Sequence, residues 1–118
     1  VSFEKMEALR WLKYLKPDGH AVVNDYEINP MPVLSGKTDY PAGILAEVAA
    51  KVRTTVVDAA KAAAALGSPK VMNMVMLGAT VKAMALEAID WEKIIREQVK
   101  ADLADINLKA FKAGLGLV

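Results

Sequence analysis

Between Pro69 and Leu86 the chain carries apolar residues on almost every side of a helix. Met72, Met74, Met76 and Met84 stud it, and Asn73 interrupts its longest apolar run, between Lys70 and Lys82. A helix that is apolar all round must be buried on several sides. It is too short for a membrane span, which needs about 20 apolar residues. The rest of the fold must therefore be layered around it. Methionine packs adaptably, so core filling is its default role here, with a subunit interface as the other reading.

The segments on either side alternate. Ser2 is expected to cap an opening helix, with Glu4 in its first turn and Ala8, Trp11, Leu12 and Leu15 along one face. Pro17-Asp18-Gly19 is a turn. His20 to Asn24 reads as a strand, Val33-Leu34 as a brief edge pairing, and Pro41 as the start of a helix to Lys51 with Ile44, Leu45 and Val48 buried. Arg53 to Val57 is a β-branched strand. Asp58 caps an alanine-rich helix to Leu66, stopped by Gly67. Ser68-Pro69 opens the apolar helix, Asp90 caps Trp91 to Val99, and the last helix runs from about Asp102 to Ala113 with Gly114 as its stop. Leu103, Ile106, Ala110 and Phe111 form its apolar face.

Strand and helix in alternation predict an α/β fold, three layers α/β/α around a small parallel or mixed sheet, with a helical C-terminal half. All 118 residues are expected to form a single domain. Two firm strands make a thin sheet, and the opening helix has no strand before it. One or two N-terminal strands are therefore expected to be missing, or supplied by another chain.

Composition narrows the function. The formal charge is +1, with basic and acidic residues interleaved, so the chain has no nucleic-acid footprint. Without cysteine it can form no disulfide, thiolate zinc site or iron–sulfur ligation. At 54% apolar it is rich for its size, which implies surface buried against a partner or a missing segment. No targeting segment is apparent, and a cytoplasmic setting fits.

Candidate chemistry is sparse. Ser35-Gly36-Lys37-Thr38 has the ending of a phosphate-binding loop, and a nucleotide hydrolase using Lys37 and Thr38 is one reading. That motif needs a second glycine five positions before Gly36. Met31 stands there, between two prolines, so a polar turn is the better reading. His20, the only histidine, has no Ser or Cys beside it and reads as a strand-start residue. No ligand spacing for a metal is visible. Asn24 and Asp25 end a strand, where ligands bind in open α/β sheets, although an Asx turn is the better reading. Asn73 and Asn107 lie among apolar neighbours on helices expected to be buried, as structural hydrogen bonders or interface contacts. Asn24, Asn73 and Asn107 are thus the candidate interface or structural polar positions, and no catalytic residue is assigned.

Four blocks, FEKMEALRWLKYLKPDGHAVVN, PMPVLSGKTDYP, KVMNMVMLGATVKAM and DINLKAFKAG, occur in order across Phe3 to Gly114. Together they resemble the gamma-type domain of 2-oxoacid:ferredoxin oxidoreductases, the pyruvate and indolepyruvate enzymes, and most of all the small-subunit type of the latter. The resemblance implies one piece of an enzyme that oxidatively decarboxylates a 2-oxoacid to an acyl-CoA and passes electrons to ferredoxin. Thiamine diphosphate, iron–sulfur clusters and CoA would then belong mostly to a large partner subunit or domain. The family domain opens with a glycine-rich βα segment, so this chain is expected to be its C-terminal portion. A stand-alone small-ligand binding or assembly module of the same fold is the alternative.

Overall fold

The computed structural model describes residues 1–118. Strand β1 (His20–Asn24) and strand β2 (Arg53–Val57) pair in parallel, with His20 opposite Arg53 and Asn24 opposite Val57. A parallel pair needs a crossover. Residues 25–52 provide it, through a one-turn helix α2 (Met31–Leu34) and helix α3 (Ile44–Lys51).

Alternation along β1 divides the core. Val23 packs with Ala8 of helix α1 (Lys5–Trp11) and with Ile44 and Val48 of α3. Val22 turns the other way and joins the larger cluster, built on helices α4 (Ala59–Ala65), α5 (Met72–Ala83), α6 (Trp91–Gln98) and α7 (Ala104–Leu115). The expected three layers are therefore present: α1 and α3, then the sheet, then α4, α5 and α7. Helix α5 is the hub. Its Met74, Val75, Met76, Gly78, Ala79 and Val81 are buried, and it touches α4, α7 and both strands.

Several local expectations are corrected. Glu4, not Ser2, caps α1: its carboxylate accepts the Glu7 N–H at 2.9 Å. Ser2 is instead bridged in parallel to Val23. Helix α1 is short and continues as a 3-10 turn over Leu12–Tyr14, which leaves Trp11 59% exposed. Val33 and Leu34 are helical rather than paired at an edge. Pro32 sits in the first turn of α2, where its missing N–H costs no helical bond. Helix α3 begins three residues after Pro41, because Gly43 adopts φ 73° and a left-handed residue breaks the helical path. Ser68 makes no side-chain cap bond, and Pro69–Val71 is a 3-10 turn leading into α5. Helix α5 stops at Ala83, short of Leu86, where Ala85 turns left-handed with φ 54°. Ala101–Leu103 is likewise a 3-10 turn before α7, and Leu103 is exposed. Gly114 does not end α7; the helix runs on to Leu115.

Candidate functional site

The C-terminal end of β1 is where an open α/β sheet offers a ligand site. Here it collects Glu4 and Lys5 from the start of α1, Asp25 and Glu27 from the segment after β1, and Tyr40 from the loop before α3. Glu4 is only 4% exposed, yet its carboxylate is well satisfied. It accepts from the Tyr40 hydroxyl, from the Glu7 N–H at 2.9 Å and from the Ile28 N–H at 3.5 Å. The Tyr40 oxygen in turn accepts the Met6 N–H at 3.2 Å. Burial acts to raise the Glu4 carboxyl, but the Tyr40 phenol and the surrounding N–H groups outweigh it and hold the acid below its ordinary range. Burial first, and the Glu4 carboxylate second, push Tyr40 up to about 12.

Lys5 is committed too. Its ammonium lies 2.6 Å from Glu27 and 3.4 Å from Asp25, and 5.7 Å above the Tyr40 ring. The Glu27 bond raises its pKa, with Asp25 adding. A cleft of about 400 Å³ opens beside this group, walled by Lys5, Asp25, Glu27 and residues 41–46. At neutral pH, Glu4 is ionised, Tyr40 protonated and Lys5 paired. The arrangement ties α1, the segment after β1 and the loop before α3 together, and Lys5 bonds both carboxylates that border the cleft. No three His, Asp or Glu side chains converge to hold a metal ion.

Asn24 is fully buried. Its Oδ1 accepts the Ala59 N–H at 2.9 Å, and its Nδ2 donates to the Phe3 carbonyl at 3.2 Å and to the Met72 sulfur at 3.4 Å. It is not the pivot of an Asx turn. Its side chain joins the N-terminal stub, β1, α4 and α5. Asn73 is exposed rather than buried, facing a cleft between α5 and Val1–Phe3. Asn107 is half-buried and bonds within its own helix, donating to the Leu103 carbonyl at 2.8 Å. The three asparagines are not brought together.

Ser35 to Thr38 wraps a carbonyl of its own chain. The Pro32 oxygen accepts the Lys37 N–H at 2.9 Å, the Thr38 N–H at 3.2 Å and the Ser35 hydroxyl at 3.2 Å. The donors a phosphate would need are already used. His20 Nε2 lies 2.8 Å from the Thr55 hydroxyl. Burial chiefly, with the nearby Arg53 charge, lowers its pKa.

The Glu4–Tyr40 pair has no sequence signal, since 36 residues separate it. Asn24 had one: it shares strand parity with Val22, which points to the buried α5 side.

Fold and site together define a three-layer α/β domain with a short parallel sheet, a helical C-terminal half and a self-satisfied polar cluster at the strand ends. Residues 1–117 match the family described as pyruvate ferredoxin/flavodoxin oxidoreductase, and the chain belongs to that family. It is similar to the indolepyruvate oxidoreductase subunit IorB of Pyrococcus horikoshii, 33% identical over 98% of this chain and 60% of that protein. The IorB subunit of Archaeoglobus fulgidus is 31% identical over 97% of the chain and 59% of the relative. That of Thermococcus kodakarensis is 32% identical over 98% and 60%. The chain thus spans about three fifths of the length of these curated relatives. No solved structure matches it.

Proposed function

We propose that this chain is a non-catalytic portion of a 2-oxoacid:ferredoxin oxidoreductase, acting within a cytoplasmic assembly. The observation that carries the reading is the match of nearly the whole chain to proteins named as subunits of an indolepyruvate oxidoreductase. The reaction would be oxidative decarboxylation of a 2-oxoacid such as indolepyruvate or pyruvate to an acyl-CoA, with ferredoxin as electron acceptor. The cluster of Glu4, Lys5, Asp25, Glu27 and Tyr40 supports an accessory role, because its groups are engaged with one another through hydrogen bonds and ion pairs. No helix is long and apolar enough to cross a membrane, which is compatible with the cytoplasmic placement.

The residues present do not fit the cofactors of the whole reaction. Iron–sulfur clusters need thiolates, and the chain has no cysteine. Thiamine diphosphate is held through a divalent cation with oxygen ligands. The two carboxylates beside the cleft already share the Lys5 ammonium, and no metal-holding cluster exists. Both groups, and CoA, are therefore assigned mostly to a large partner subunit or domain. Asn73 and the exposed Ile28, Met31 and Leu34 are proposed as contacts in that assembly.

The test is 2-oxoacid-dependent reduction of an artificial viologen acceptor with thiamine diphosphate and CoA supplied. The chain alone is expected to show none, and co-expression with its thiamine-diphosphate subunit to give turnover. Turnover by the purified chain alone sinks the proposal.

A further inference from the structure

The start of α1 holds both ends of the stretch between β1 and α3. On the near side, the Lys5 N–H donates to the Tyr26 carbonyl at 3.0 Å and the Lys5 ammonium to Glu27 at 2.6 Å. On the far side, the Tyr40 hydroxyl donates to Glu4 and accepts the Met6 N–H at 3.2 Å. One atom, Glu4 Oε1, serves both sides: it takes the Tyr40 hydroxyl and, at 3.5 Å, the Ile28 N–H.

Beyond this neck the chain supports itself. Every hydrogen bond made by residues 29–39 ends within the same stretch. None of these residues packs into either apolar core. The stretch is ordered all the same. Pro30 and Pro32 restrict their own backbone, α2 makes one turn, and the Pro32 carbonyl gathers Ser35, Lys37 and Thr38. It is an arm, built apart from the core and fastened at its neck.

The arm turns apolar side chains outward. Met31 is 72% exposed, Leu34 65% and Ile28 60%. Met31 and Leu34, three residues apart on α2, share a face. Exposed apolar surface on a stretch that adds nothing to the core marks a site of contact. An arm ordered in advance also loses less entropy on docking.

Area decides what the arm meets. Three side chains exposed to this degree offer a few hundred Å². Two copies laying their arms together would fall short of the about 1,200 Å² that a stable pair buries. A recess in a larger chain wraps the arm on several sides and buries its prolines and turn as well.

We propose that residues 28–40 form a preformed docking arm whose Ile28, Met31 and Leu34 enter an apolar recess of the large thiamine-diphosphate subunit. Glu4, through Tyr40, is the positioning residue that sets the arm against the domain. This rests on the assembly proposed above.

The test titrates the chain against the separately purified thiamine-diphosphate subunit, with stability read by urea unfolding. Met31→Asp and Leu34→Asp are each expected to weaken binding about tenfold or more at an unchanged urea midpoint. Leu117→Asp, exposed but outside the arm, is the control, and an equal loss there overturns the proposal. Tyr40→Phe is expected to weaken binding while exchange at the Lys37 amide, internal to the arm, stays slow. Combined with Leu34→Asp it should cost less than the two single changes together, since both act through the arm. Full additivity overturns the positioning role of Glu4 and Tyr40. Parent-like binding by both aspartate variants overturns the arm and leaves the assembly standing. A parent chain that does not bind the subunit overturns both. Self-association of the parent that Leu34→Asp abolishes gives the arm to a second copy and equally overturns the proposal.

Discussion

Gly78 of α5 and Gly114 of α7 occupy reciprocal positions where the two helices press together. A Cβ on Gly78 would run into the Phe111 carbonyl and lie 2.9 Å from the Leu115 nitrogen. One on Gly114 would run into the Val75 carbonyl and lie 2.9 Å from the Ala79 nitrogen. Each glycine makes room for the other helix's backbone, and backbone cannot swing aside as a side chain can. Gly114→Ala must push the helices apart, and overpacking of this kind costs about 1–3 kcal/mol. Gly116→Ala is the control: its φ is −79° and the nearest atom to an added Cβ is 3.4 Å away. It should change stability by less than about 0.5 kcal/mol. Urea unfolding of the two variants separates them, and equal effects would show that the close approach carries no strain.

Asn24 invites a second substitution. Removing its amide leaves the Ala59 N–H, at the first position of α4, without its 2.9 Å partner, and the Phe3 carbonyl without its 3.2 Å donor. Leaving a buried polar group unsatisfied costs about 1–3 kcal/mol. Asn24→Leu is therefore expected to destabilise by about 2–4 kcal/mol despite adding apolar volume. Amide exchange at Ala59 should accelerate more than exchange elsewhere in α4. A variant as stable as the parent would mean that Asn24 fills space and nothing more.

What could be read from the chain before folding was whatever a few neighbouring residues decide. The run Arg53–Val57 forms the strand its β-branched residues favour. Asp58 and Asp90 cap their helices through Lys61 and Lys93, and Gly67 takes the left-handed turn with φ 79°. These are one-turn geometries, complete within four residues. Gly114 was misread by the same local logic, because a glycine near a helix end looks like a stop until Val75, 39 positions away, is seen against it. The Glu4–Tyr40 pair escaped for the same reason. Ser2 carried a capping side chain, but backbone pairing with β1 claimed it, and no local rule knows where β1 will lie. Asn73 and the exposed Met31 and Leu34 are set by what the layers leave uncovered, which depends on surface outside this chain's own core.

Ala85 ends α5 in a conformation that suits glycine. Its φ is 54°, its N–H donates to the Lys82 carbonyl at 3.1 Å, and the Leu86 N–H reaches back to Val81 at 3.0 Å. This is the left-handed closure usually made by glycine, and an L-residue there is disfavoured by about 1–2 kcal/mol. Glycine adds freedom to the unfolded chain, which cancels part of the gain. Ala85→Gly is expected to stabilise by about 0.5–1 kcal/mol, seen as a higher urea midpoint with an unchanged slope. A loss of stability would place the strain elsewhere in the turn.

The Glu4–Tyr40 bond gives stability a pH dependence at both extremes. Glu4 is held below its ordinary value of 4.5, so the unfolded chain takes up its proton first as pH falls. Its contribution is complete above the unfolded value and is lost as pH drops through the lower folded value. Tyr40 is raised from 10.0 to about 12, so the unfolded chain loses its proton first as pH rises. That contribution is complete below pH 10 and drains away between 10 and about 12. His20 acts in the acid range from the other side. Burial and Arg53 lower it from 6.5, so the unfolded chain binds a proton the folded one resists, and stability rises with pH up to about 6.5. Tyr40→Phe should remove the alkaline slope, remove a phenolate absorbance step near 12, and weaken the acid slope by taking a donor from Glu4. His20→Gln should flatten only the segment below 6.5. Chemical denaturation at intervals from pH 4 to pH 11 reads all three slopes. An alkaline slope that survives Tyr40→Phe would show that the clamp at the end of β1 is not what holds α1 to the loop before α3.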